Sequence, residues 1–257
     1  MSVAGNEKQP DDGRSSRSRV RPPGGSYDVR MGERSSGAGS ERLASRAWPV
    51  AEIAAFFALI VSYIWVWKEA FPGDRVVVLA LYVALGVETH WRRGESAREI
   101  GFRLDNLGAF GRLAARWLAL PVGAAAVAGV ALGGAAFPPP AIWPLNILWS
   151  VAWGTAQQYG LACVFYRRLR DLLPARRATL AAGAIFALLH LPNPFMIGLT
   201  LALGVVACAL YERHPNVLGL GLVHGATSFL LANTLPGWLT FDWMVGPQIL
   251  DRVRHLF

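Results

Sequence analysis

Polar side chains break the apolar runs of this sequence at a few places. Gln157 and Gln158 stand side by side in "WGTAQQYGLACVFYRRL", Trp153 to Leu169. His190 closes "FALLH", with Phe186 one helical turn before it on the same face. His224 lies in "LVHGATS", with Ser228 one turn further on. Glu88 and His90 come near the end of an earlier run, and Glu52 in the first run is a weaker candidate. An amide or imidazole in hydrocarbon is costly unless it finds a hydrogen-bond partner, so polar residues at membrane depth are functional-site candidates by default. Imidazoles and carboxylates offer general acid–base chemistry; amides and hydroxyls offer hydrogen bonds to a substrate or a developing charge. Each residue alone would serve equally well as an interhelical hydrogen bond worth ~0.6–2 kcal/mol. Depth argues for more. At ~1.5 Å of rise per residue, the glutamines lie ~13–15 Å from the arginine end of their run. On the same scale His190 lies ~18 Å and His224 ~10 Å from the corresponding ends of theirs. Three sites at similar depth on three helices predict one shared cavity, with Phe186 packed beneath His190.

The elements that would hold them are membrane helices. Of the 257 residues 53% are hydrophobic and only 16% charged, and ten are tryptophan. This is the composition of a membrane protein rather than a soluble domain. Apolar runs at about 48–67, 76–91, 114–136, 142–166, 178–191, 195–211 and 217–233 predict an all-α, polytopic helix bundle of about seven (six to eight) spans. The stretch 236–250, with Pro236, Asp242 and Pro247, leaves open an eighth span or an interfacial segment. Residues 1–47 are rich in Arg, Ser, Gly and Pro without apolar periodicity, and predict a disordered tail; residues 48–257 form the membrane domain. The arginines fall on alternate connections: 92–116 and 167–177 are dense with them, whereas "PPPA" and "LPNPF" carry no charge. The positive-inside rule then places the N-terminus in the cytoplasm of a multi-pass cell-membrane protein. The net charge of +8 reflects this topology, and no nucleic-acid partner is expected. Cys163 and Cys208 sit inside apolar runs, with neither disulfide nor zinc spacing; both are read as packing residues.

"QQYGLACVFYRRL", "FALLH" and "HGATS", in that order and spacing, resemble the CAAX-protease and bacteriocin-processing (CPBP, or Abi) family of intramembrane proteases. That family carries E-E-x-x-x-R, F-x-x-x-H and H-x-x-x-N on successive helices. "SAREIGFRLDNL", Ser96 to Leu107, resembles the segment that often precedes its core. The resemblance spans roughly residues 90–233. It implies an endopeptidase in which the glutamate pair activates water, while the histidines and the Asn position it and stabilise the oxyanion. Phe186, His190 and His224 match. The glutamate positions hold Gln157 and Gln158, the arginine position Ala162 and the asparagine position Ser228. An amide keeps the shape and hydrogen bonds of a carboxylate but cannot take a proton.

Three functions follow. The first is a CPBP-like intramembrane endopeptidase acting on a membrane-associated protein or lipidated C-terminus, with Gln157, Gln158, His190, His224 and Ser228 in the site and Phe186 and Glu88 supporting it. Its base is then His190, His224 or a surrogate carboxylate, Glu88. The second is an inactive pseudoprotease that binds a membrane partner. The third is a channel or transporter-like bundle with a histidine proton relay. No cofactor is expected; zinc held by two histidines and Glu88 is the one metal arrangement the residues suggest. The expected partners are membrane lipids and a membrane-associated protein or peptide.

Overall fold

The computed structural model describes the backbone of residues 33–254 and the side chains of 46–250. The chain divides into two compact units, Met1–Glu41 and Arg42–Phe257. Of the first, only the start of helix α1 (Glu33–Ser62) is described. That helix begins inside the stretch read as a tail: beyond Gly25 no proline or glycine pair interrupts the run into Trp48, so helix propagates outward from the apolar segment. The rest of the expected tail lies outside the described residues.

Among the described residues of the second unit, all regular secondary structure is helical. A short π-helical turn, Tyr63–Trp67, extends α1. Then come α2 (Asp74–Arg92), α3 (Leu107–Ala131), α4 (Trp143–Gln158), a π-helical segment (Tyr159–Tyr166), and α5 (Arg167–Leu172). They are followed by α6 (Ala175–Leu188), α7 (Pro194–Arg213) and α8 (Val217–Thr234). Each of the seven apolar runs becomes a helix. Four helices are long and apolar enough to cross a membrane: Arg46–Trp67, Leu107–Ala131, Pro194–Arg213 and Val217–Thr234. Length and apolarity alone mark these four as candidate crossings. The fourth run is helical from Trp143 to Leu172 but changes to π geometry midway, α6 has only 14 residues, and α2 carries Asp74, Arg75, Glu88 and Arg92.

The stretch 236–250 is not an eighth span. A four-residue helix α9 (Gly237–Thr240) gives way to positive φ at Phe241, Asp242 and Trp243, and α10 (Pro247–Arg254) starts afresh. Left-handed backbone at three successive non-glycine residues cannot continue a helix.

The core gathers around the π-helical segment, whose residues Gly160–Tyr166 are all buried. Against them pack Phe186 of α6, Cys208 and Tyr211 of α7, and Leu220 of α8. Outward faces stay apolar, as at Leu120, Val127, Leu145 and Trp149, which suits a bundle solvated by lipid.

Two buried asparagines fix the helix entries. Asn193 caps α7 through Met196 N (3.0 Å) and donates to Thr240 O and Met244 O. Asn216 caps α8 through Gly219 N (2.7 Å) and donates to Arg103 O and Asn106 Oδ1. Side-chain oxygens at these positions satisfy amides that the first helical turn leaves unpaired. The segment Ser96–Leu107 is the lid on this end: Ile100 O accepts from Cys163 Sγ and Tyr211 OH, and Gly101 O accepts from Val217 N.

Candidate active site

The site forms where α4 lies along α8. Their approach is set by glycine: a Cβ on Gly225 would sit 2.6 Å from Val151 Cα, and one on Gly154 would sit 3.0 Å from His224 Cδ2. Small residues let helix backbones meet this closely in a membrane bundle. Close approach puts Gln158 beside His224, with Gln158 Nε2 2.9 Å from His224 Nδ1. Gln158 is buried, and its Oε1 has no hydrogen-bond partner among the described residues. The π-helical segment begins with the next residue, Tyr159. A π segment widens the helix and recurs at functional sites. Here Ala156 O, two residues before Gln158, accepts from Tyr82 OH (2.8 Å), tying α2 to the site.

His190 follows α6 and is buried. Its Nδ1 lies 2.7 Å from Phe186 O, and its ring meets the Phe186 ring edge-on with centroids 4.9 Å apart. The expected packing of Phe186 on His190 is therefore present.

The hydrogen bonds assign the imidazole protons. A backbone carbonyl only accepts, so His190 carries its proton on Nδ1 and keeps the Nε2 lone pair free. The Gln158 Nε2 amide only donates, so in this orientation His224 Nδ1 accepts and the His224 proton sits on Nε2. The site thus offers one imidazole acceptor and one imidazole donor.

The remaining candidates fall as follows. Gln157 is half-buried and makes no hydrogen bond among the described residues; Gln158 is the glutamine that joins the site. Ser228 is half-buried one turn along α8 from His224. Ala162 is fully buried in the core. Glu88 does not join the site: it is nearly half-exposed and pairs with Arg92 one turn away on α2. An i, i+4 partner of opposite charge at the helix surface is within reach without crossing the bundle. Among the described residues no group of three or more His, Cys, Asp and Glu is placed to hold a metal ion.

Sequence reasoning passed over a second polar cluster at the arginine-rich end. Arg168, 1% exposed, sits 2.9 Å from Glu52 through Nε and 2.8 Å from Glu95 through Nη2. The Nε contact is too bent for a hydrogen bond but holds as an ion pair. His90 Nδ1 lies 2.6 Å from Glu95, and Arg93 joins Glu52 to Asp171. Burial would raise the Glu95 carboxyl. Hydrogen bonds from His90, Arg168 and Arg167 outweigh it and hold the group well below the usual carboxylate range. The signal was Glu52: a carboxylate inside an apolar run requires a cation, and the adjacent Arg167–Arg168 supplied one.

A family model, described as type II CAAX prenyl endopeptidase Rce1-like, matches residues 159–230. That stretch of the chain is similar to the Rce1-like family. The matched stretch holds Phe186, His190, His224 and Ser228, and the match bears out the resemblance read from the motifs. The Rce1-like stretch opens at Tyr159, immediately after the glutamine pair. No curated protein and no solved structure matches the chain. With its apolar helices and Rce1-like stretch, the chain is a multi-pass membrane protein.

Proposed function

We propose that this protein is an intramembrane endopeptidase that cuts a membrane-associated protein or lipidated C-terminus with a histidine pair. The observation that carries this reading is the geometry of the two imidazoles, His190 Nδ1 on Phe186 O and His224 Nδ1 on Gln158 Nε2, which supports complementary protonation. His190 Nε2 is the base. It takes a proton from water as the water oxygen attacks the carbonyl carbon of the scissile peptide bond. The His224 Nε2–H donates to the oxyanion that forms, with the Ser228 hydroxyl as a further donor. Collapse of the tetrahedral intermediate breaks the C–N bond, and His190 returns the proton to the leaving amine. Gln158 fixes the His224 tautomer, the role an orienting group plays for a catalytic histidine. Its unpartnered Oε1 is an acceptor for a substrate backbone N–H. Gln157 and the core at about 90–233 support the site by packing. The N-terminus lies in the cytoplasm of the cell membrane, by the arginine distribution.

A second reading, a pseudoprotease that holds a membrane partner without cutting it, is favoured by the neutral amide at Gln158. Reconstituted protein and a farnesylated model peptide separate the two. Cleavage by wild type that disappears in His190→Ala supports the peptidase. Peptide binding without cleavage, unchanged by His190→Ala, supports the binder.

A further inference from the structure

We infer that the arginine-rich end of α3 is a binding site for the headgroup of an anionic phospholipid. Most loop arginines face a carboxylate: Arg93, Arg98, Arg103, Arg167 and Arg170 each have one within 4 Å. Arg112, Arg116 and Arg213 have none among the described residues, and neither do Arg46, Arg176 and Arg177. Arg112 and Arg116 are exposed, four residues apart on α3, and so lie one turn apart on the same face. That face continues into Leu120, 81% exposed, and Val127, 72% exposed. These apolar side chains mark the strip of α3 that meets lipid tails. The two guanidiniums stand on that strip just beyond its apolar part, ~6 and ~12 Å from Leu120 along the helix axis. This is headgroup height. Arg213 closes the corner from α7. Its guanidinium lies 4.7 Å over the ring of Trp117, and only Nη1 is used, donating to Ala209 O at 3.2 Å. Stacking holds the guanidinium in place with donors to spare, and a Trp at this level is the residue that membrane interfaces select. The charge, the tail-facing strip below it and the interfacial ring together fit a lipid phosphate better than a soluble anion, which has no use for Leu120 or Val127.

Titration with a fluorescent phosphatidylglycerol analogue, using the full chain in phosphatidylcholine nanodiscs, tests this. Wild type should bind the analogue in preference to its phosphatidylcholine counterpart. Each arginine removed should weaken binding about fivefold, so Arg112→Gln with Arg116→Gln costs more than Arg213→Gln. Arg176→Gln with Arg177→Gln removes the same charge from the start of α6 and should leave binding unchanged. Trp117→Leu should weaken binding with no change in charge. Should the glutamine pair on α3 impair folding, Arg112→Lys with Arg116→Lys keeps the charge and should keep most of the binding. Equal loss in the two double-glutamine variants would overturn the site in favour of bulk charge. So would equal affinity for the two lipids, or displacement of the analogue by glycerol phosphate in solution, which would make it a soluble-anion site.

Discussion

The two adjacent glutamines are not equivalent. Gln158 is buried and bonded to His224, whereas Gln157 is half-buried and makes no hydrogen bond among the described residues. Gln158→Ala should therefore lower cleavage while Gln157→Ala leaves it near wild type, measured as kcat/KM on one reconstituted substrate. His190→Ala removes the base and should cost 10²–10⁴-fold, and His224→Ala removes an oxyanion donor and should cost about 10²–10³-fold. Swapping both glutamines to glutamate and Ala162 to Arg does not rebuild a charged site here. Ala162 is fully buried in the core, so a guanidinium has neither room nor water. The residue types and order made the histidines legible in the sequence. Which glutamine turns inward was not legible, because adjacent helical residues point about a quarter-turn or more apart and the direction of the core was unknown. Glu88 misled for a related reason: depth along a helix was readable, but its face was not, and Arg92 was a nearer partner than the bundle interior.

At the scale of elements, the site depends on how closely α4 and α8 approach. A methyl on Gly225 meets the Val151 backbone at 2.6 Å, and backbone cannot turn aside. Gly225→Ala should destabilise the protein by about 1–3 kcal/mol in detergent unfolding and also reduce cleavage, because it parts Gln158 from His224. Gly198→Ala on α7, where a Cβ meets nothing within 4 Å, is the control and should do neither. The cluster at the other end responds differently. Arg168→Met leaves buried Glu52 with Arg93 alone and takes one cation from Glu95, and should destabilise by about 1–3 kcal/mol. Glu95 titrates below its ordinary range in the folded chain, so its contribution is complete at neutral pH. That contribution is lost only as pH falls below the ordinary carboxylate range toward the depressed value. The midpoint of thermal unfolding should fall with acid there, and fall less in Glu95→Gln. Helix existence was legible because apolar runs are long and punctuated. The π-helical segment was not: its residues read as ordinary helix, and packing around Tyr159–Tyr166 decides the wider winding.

For the whole molecule, arginine placement gave an orientation that the bundle itself does not carry. Cys163 and Cys208 are fully buried, so a version lacking both provides a clean background for single-cysteine labelling in intact cells. A cysteine at position 172 should resist an impermeant reagent from outside, while one at 139 should react; strong labelling at 172 would reverse the topology. Seven runs became seven helices, yet four alone meet a membrane's length and apolarity, since polar ends and short helices are shielded by neighbours. The central claim is that His190 acts as a base on a peptide bond within this Rce1-like stretch. It is tested most directly by mass spectrometry of a farnesylated peptide incubated with reconstituted wild type and with folded His190→Ala. The account predicts new termini with wild type and none, or at least a hundredfold fewer, with His190→Ala. Cleavage at equal rates by both proteins, or none by folded wild type that binds the peptide, would contradict it.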